Sequence, residues 1–453
     1  MNNQGATVRR AKEDAVDMDF ERAVMRKVYW RLVPLLFLAM FMNYLDRFNI
    51  GFAALKMNHD MGFSPAVFGF GASMFFFGYM LLGVPSNLVL FRVGARRWLG
   101  LVLVVWGVVA ASTAFIWSEG SFFSLRFILG MVEAGYLPGV ALYVTYWFPA
   151  AYRARAVGGY IIAGQVSAVV GSPLSAFLMT TFQQVLGIHD WQWMFLLEGL
   201  PTVLLGLVFL SMLTDRPANA HWLSPRERDW LTQRLADERA KQDAGRPIPL
   251  SAMLTDLRVW SLAILFGCAL VGIYGLLVWL PQIVKSLGHL SLMQIGLLSA
   301  VPPLLGVIGT LIVSWNSDRT GDRKYHLAAL YGVAGVMLAG SAFAPSPVLA
   351  YLMLCVVGLC INSGNSLFWS INASLMTGVA AAGSIAFVNT VAQFGGLVGP
   401  WMIGVVKGYT GSYSMALFAM ACSLILSALI TLSLRVRREV PAGAVAPAPS
   451  SAD

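Results

Sequence analysis

Twelve runs of mostly apolar residues follow one another along the 453-residue chain, at 30–55, 66–90, 97–117, 121–147, 156–181, 192–213, 258–285, 291–315, 325–344, 347–376, 380–408 and 412–434. Each reaches or exceeds the length of about 20 residues that a helix needs to cross a bilayer. Short polar turns separate them, except for the long polar stretch 214–257 between the sixth and seventh runs. The pattern predicts an all-α integral membrane chain of twelve transmembrane helices in two six-helix halves. A cytoplasmic tail (1–29), the first half (30–213), a linker (214–257), the second half (258–434) and a disordered tail (435–453) complete the expected organisation.

Composition agrees with that pattern. Hydrophobic residues make up 58% of the chain and charged ones 12%, against about 25% charged in soluble domains. The N-terminal tail is charged and lacks an apolar stretch followed by a small-residue cleavage site, so it is not a signal peptide. The net charge of +9 is a matter of topology. Of 31 lysines and arginines, 26 lie in segments on the side of the N-terminus and three (Lys56, Lys285, Lys407) in the opposite loops; Arg47 and Arg126 lie within spans. That bias is the positive-inside rule, which puts both termini in the cytoplasm of a multi-pass protein of the inner (plasma) membrane. Nucleic acid is not needed to explain the basicity. Cys268, Cys355, Cys360 and Cys422 all fall in apolar spans without metal-ligand spacing, so they read as packing residues. Neither a metal nor a cofactor is expected, and no Ser-His-Asp set or phosphate loop suggests an enzyme.

Within the linker, Ser224-Pro225-Arg226-Glu227 supplies an N-cap, a proline at the first helical position and a glutamate three residues on. A surface helix to about residue 241 should follow, then a Gly245-Arg246-Pro247 turn. The two halves echo each other. Phe91-Arg92-Val93-Gly94-Ala95-Arg96-Arg97 follows span two, and Asp318-Arg319-Thr320-Gly321-Asp322-Arg323-Lys324 follows span eight. Span five holds Gly171-Ser172-Pro173 and span eleven Gly399-Pro400. Such interruptions at equivalent places suggest repeats whose helices bend around a central site.

Both loops resemble the cytoplasmic Asp-Arg-x-Gly-Arg-Arg signature of the major facilitator superfamily. The second copy is nearly complete. The first has Phe91 where the aspartate would fall and Asn87 in place of a glycine, which removes the carboxylate a latch in that loop would use. The resemblance makes Arg92, Gly94, Arg96, Asp318, Arg319 and Gly321 the cytoplasmic gate loops. Within the superfamily, residues 43–52 (NYLDRFNIGF), 125–139 (LRFILGMVEAGYLPG), 146–155 (YWFPAAYRAR), 191–201 (WQWMFLLEGLP) and 274–282 (YGLLVWLPQ) resemble the anion:cation symporter branch. That branch imports small organic acids with protons and includes tartrate, hexonate, phthalate-type and hydroxyphenylacetate permeases.

Four charges lie deep in apolar spans: Asp46 and Arg47 in span one, Arg126 and Glu133 in span four. Each costs roughly 2.5–3.5 kcal/mol at bilayer depth on insertion scales, and such residues mark ion and substrate pathways. Seven residues separate Arg126 from Glu133, which puts them on nearly the same helix face about 10 Å apart. Depth favours an Asp46–Arg126 pair, with Glu133 deeper and within reach of Arg47. Arginine is suited to hold a carboxylate because its guanidinium forks bidentately. The five histidines (His59, His189, His221, His289, His326) sit in loops or at span ends, which leaves Asp46 and Glu133 as proton carriers. The resemblance implies the same two acids. Glu198, near the outer end of span six, reads as structural and solvated.

The second half should supply the other wall of the site. Span ten carries Asn362, Ser363, Asn365, Ser366, Trp369, Ser370 and Asn372, and span eleven Asn389 and Gln393; side chains this polar should line a wet cavity or bond between helices. Tyr274 and Trp279, with Tyr44, Tyr79 and Gln165, could complete a site for hydroxyls or a ring. As substrate contacts the resemblance favours Tyr44, Arg47, Tyr79, Tyr274, Ser370 and Asn389. The expected partners are a small organic anion, protons and lipid, with a monomer as the superfamily default. Rival readings are an organophosphate-type exchanger, which would place a second arginine within span seven where only Arg258 and Lys285 flank it, a metabolite exporter, and a transporter-like sensor.

Overall fold

The computed structural model describes residues 3–183, 185–242, 256–375 and 379–434. Its first half comprises α1 (Asn3–Asp60), α2 (Pro65–Val93), α3 (Ala95–Ser112), α4 (Glu119–Glu133), α5 (Tyr136–Trp147), α6 (Ala150–Thr181) and α7 (Asp190–Met212). The linker forms α8 (Pro225–Gln242). The second half comprises α9 (Leu257–Ser286), α10 (Leu292–Thr320), α11 (Lys324–Ala342), α12 (Pro347–Leu375), α13 (Val379–Thr410) and α14 (Ser414–Ser433). Eleven segments of the described residues are long and apolar enough to cross a membrane. The twelfth expected span, 380–408, coincides with α13.

Local chemistry sets the helix starts. Ser64 accepts the Val67 N–H ahead of Pro65, and Ser291 and Gln294 cap α10 reciprocally, so that otherwise orphaned amides are satisfied. Ser224 and Glu227 form the expected capping box on α8. The Gly245–Pro247 turn and the tail from residue 435 lie outside the described residues. The charged N-terminal segment continues α1 rather than standing apart from it: Lys27 donates to Glu227 at 2.9 Å and Phe20 meets Trp230 edge-on, which ties α1 to the linker helix.

Equivalent helices pair in the two halves. In the first, α1 packs on α6, α2 on α4 and α3 on α7; in the second, α9 packs on α13, α10 on α12 and α11 on α14. The halves meet through α1 with α9, α2 with α13 and α6 with α10. At the α2–α13 crossing a Cβ on Gly404 would stand 2.3 Å from the Pro65 carbonyl oxygen, so only glycine permits the approach. Gly296 at the start of α10 meets Ser172 and Ala176 late in α6, and Lys285 Nζ donates to the Leu55 carbonyl at 3.1 Å. All these contacts lie at the end of the bundle opposite the chain termini. There the two halves touch.

Candidate functional site

Span four is not one helix. It breaks after Glu133 into α4 and α5, where a continuous helix over 121–147 was expected. Pro138 has no N–H to bond to the Ala134 carbonyl, and its ring crowds that carbonyl, so the helix cannot run through unperturbed. The break leaves Glu133 as the last residue of α4. Gly78 and Gly130 bring α2 against α4 closely enough that a Cβ on Gly130 would sit 1.9 Å from the Phe75 carbonyl oxygen. That crossing delivers Phe75 and Tyr79 to the charged face of α4.

Arg47 is the hub. Its Nε donates to Glu133 Oε1 at 2.7 Å, and Nη2 pairs with the same oxygen. Nη1 reaches Tyr274 Oη on α9 at 3.5 Å, and the guanidinium lies over the rings of Tyr44, Phe75 and Tyr79 at 5.2–5.4 Å. The expected reach of Arg47 to Glu133 is therefore seen. The expected Asp46–Arg126 pair is not. Asp46 takes its hydrogen bonds from Trp106 Nε1 of α3 at 2.6 Å and from Asn49 Nδ2 at 3.3 Å. Depth had matched the two residues, but the rotation of α1 turns Asp46 towards α3. Arg126 is 3% exposed, lies 5.0 Å over Phe75, and makes no hydrogen bond or ion pair among the described residues. It is a buried cation left free beside a neutralised pair, chemically ready for an anion.

Around this cluster Gln165 follows Gly164, which packs on the Tyr44 ring, and its Oε1 is buried without a partner. Among the polar residues of α12 and α13, Asn362 lines a cavity, as expected. Asn362, Ser363 and Ser370 bond back to carbonyls of their own helix, at 2.8, 2.8 and 3.3 Å, as Ser and Asn side chains commonly do in apolar surroundings. Trp369 packs edge-on against Phe266. Asn372 is fully buried with both amide atoms unpaired, and Gln393 Oε1 is likewise unpaired; Asn389 is half-buried. No hydrogen bond joins these residues to the arginines among the described residues. An apolar cavity of about 70 Å³ between the halves, walled by Phe48, Ile273, Leu280 and Pro302, excludes both arginines. Glu198 is also unlike its expectation: at 2% exposed it is buried, not solvated.

In the loops after spans two and eight, Gly94 and Gly321 both adopt positive φ, at 90° and 64°, which glycine allows without strain. Arg319 lies over Trp315, and Asp318 faces Arg323 at 3.7 Å, while Arg92 is exposed. Asp215, just beyond α7, accepts the Arg96 backbone N–H at 2.8 Å, and Arg96 Nε reaches the Leu210 carbonyl at 2.6 Å. Sequence reasoning also missed Asn49, Phe75 and Trp106. Asn49 stands one turn beyond Asp46, a spacing that could have flagged it; the two aromatics carried no such signal.

This architecture has known counterparts. Residues 36–400 match the family model described as Major Facilitator Superfamily. A protein named "Putative tartrate transporter" from Agrobacterium vitis is 43% identical, covering 95% of this chain and 99% of that one. The "Quinolone resistance transporter" of Acinetobacter baumannii is 38% identical over 91% of this chain and 94% of its own. Among solved structures, the partially occluded, inward-open xylose transporter XylE of E. coli superimposes with a TM-score of 0.72 at 14% identity, covering 90% of this chain and 98% of that one. Twelve spans in paired halves, a buried charge cluster at their junction and this breadth of similarity lead to one assignment: the chain is a multi-pass membrane transporter of the major facilitator superfamily, in the branch its motifs resemble.

Proposed function

We propose that the protein is a proton-coupled symporter that imports a small organic anion by alternating access between its halves. The observation that carries this reading is Arg126, a buried guanidinium without a hydrogen bond or ion pair among the described residues, next to an Arg47–Glu133 pair that a proton can open. Protonation of Glu133 removes the charge that holds Arg47 and frees a second guanidinium for carboxylate. Anion and proton then favour each other's binding, as symport requires. Asp46 is the second proton carrier. Tyr44, Tyr79, Gln165 and Tyr274 surround the arginines and offer hydroxyl and amide groups to a hydroxylated or aromatic acid, with Trp369, Ser370, Asn372, Asn389 and Gln393 on the opposite wall.

Voltage opposes the entry of an anion by about 2.3 kcal/mol per charge at 100 mV, so a monovalent anion needs at least two protons for the membrane potential to assist. Two carboxyls are compatible with that number. In this reading both termini are cytoplasmic, the inner membrane holds the chain as a monomer, and the end opposite the termini faces outside. The name of the Agrobacterium vitis relative supports a hydroxy dicarboxylate as substrate. The name of the Acinetobacter baumannii relative favours a second reading, export of a drug or metabolite, against which stand two buried arginines near the junction of the halves.

The decisive experiment is uptake into proteoliposomes under an imposed pH gradient, against a panel of hydroxy, sugar and aromatic acids. Acid-driven accumulation of one of them is expected, lost in Asp46→Asn and Glu133→Gln while exchange at equal pH persists. Accumulation indifferent to the gradient, or uphill uptake by both variants, overturns the reading.

A further inference from the structure

The polar thread through the first half does not end at Asp46. Asn49 donates Nδ2 to Asp46 Oδ1, and its side chain also faces Glu198 of α7. Glu198 accepts the Ser175 hydroxyl of α6 at 2.8 Å. Two oxygens along this thread are buried without a donor, Glu198 Oε2 and Asn49 Oδ1. No lysine, arginine or histidine pairs with Glu198 among the described residues. Asp46 and Asn49 face it from α1 and Ser175 from α6, while α3 packs Ala111 against the neighbouring Gly199. The nearest charges along α7 itself, Asp190 with its partner Lys56, sit two turns away, about 12 Å along the axis.

An ionised carboxylate in this place would have a hydroxyl and a shared amide as donors, no counter-charge and an acidic neighbour. Burying such a charge unpaired is strongly unfavourable. A proton on it cancels the charge and supplies the donor that the orphaned oxygens lack. We propose that Glu198 is a third proton-binding carboxyl, holding its proton in the membrane interior and bridged by Asn49 to Asp46, so that the state of one is felt by the other. The chemistry is a simple proton exchange, carboxylate plus proton giving the acid, with no other group altered. Its use in transport rests on the symport reading above; its existence does not.

Infrared difference spectroscopy of the purified full-length protein across a pH titration tests it. A carboxylic-acid C=O stretch is expected that disappears in Glu198→Gln, returns in Glu198→Asp and shifts in Ser175→Ala, where the hydroxyl donor is lost. The band assigned to Asp46 by Asp46→Asn should titrate at a different pH once Glu198 is replaced by Gln, and Asn49→Leu should abolish that dependence. A spectrum unchanged by Glu198→Gln overturns the proposal. So does a Glu198 band that Ser175→Ala leaves unmoved, which decides the matter even if Glu198→Gln fails to fold. Wild-type uptake under the same gradient separates the two ideas: without acid-driven accumulation the symport reading fails, whereas the spectra still decide Glu198.

Discussion

Tyr274 of α9 and Arg47 of α1 meet across the junction of the two halves, hydroxyl to guanidinium Nη1 at 3.5 Å. Arg47 is simultaneously committed to Glu133, so the residue that joins the halves also senses the acid. Phe76 presses on the Tyr274 ring at 4.4 Å between centroids and holds the hydroxyl in place. Any rocking of one half against the other must break this contact.

Tyr274→Phe keeps the ring and removes only the hydroxyl. A net hydrogen-bond contribution of about 1 kcal/mol corresponds to roughly a fivefold change in KM for uptake. Initial-rate kinetics in proteoliposomes measure it, and thermal stability should be nearly unchanged.

Breaking the Arg47–Glu133 pair from one side should destabilise the protein far more than removing both charges. Arg47→Met or Glu133→Leu alone leaves a buried charge uncompensated, a loss of about 3–5 kcal/mol. The double variant should recover most of that stability without recovering transport. Thermal unfolding in detergent, run as a double-mutant cycle, reads the difference.

Arg126 makes the opposite prediction. Since no hydrogen bond or ion pair holds it among the described residues, Arg126→Leu should leave the melting temperature unchanged or raise it, while anion binding by calorimetry is lost. Arg126→Lys should keep the charge yet bind more weakly, because an ammonium lacks the planar fork. A large loss of stability in Arg126→Leu would show that the arginine is structural.

The α1–α8 junction should be acid-sensitive. Burial is the largest single influence on Glu227 and pushes it up, but the Ser224 backbone amide and hydroxyl and the Lys27 ammonium together outweigh it and hold the carboxyl below its usual range. A carboxyl depressed in the folded state contributes stability above its unfolded value of about 4.3, lost as pH falls through the folded value. Glu227→Gln should therefore speed limited proteolysis at α8 at neutral pH, with the difference from wild type vanishing under acid conditions. The effect is small, up to about 1 kcal/mol for so exposed a pair.

Hydropathy and charge placement made the fold readable because both act locally and add along the chain. Twelve spans, the α8 capping box and the paired glycine-rich repeats could be placed from residues 30–434 alone. The same local chemistry flagged Asp46, Arg47, Arg126 and Glu133, since an ionisable group in an apolar run stands out wherever it points. The break after Glu133 was present in the sequence as Pro138, yet proline is tolerated in many membrane helices, as Pro85 and Pro173 are here.

Which charge meets which was beyond that reading. Depth along a helix follows from counting residues, whereas partnership depends on how each helix is rotated and how closely it crosses its neighbours. The Gly78–Gly130 crossing decided that Phe75 lies under both arginines, and the turn of α1 towards α3 decided that Asp46 meets Trp106 instead of Arg126. Span number, order and inventory of charges belong to the sequence. The unpaired Arg126 Nε, the buried Glu198 and the bond from the Arg96 backbone to Asp215 arise only when distant segments are packed together, because a side chain's partners are set by three-dimensional proximity that no local pattern encodes.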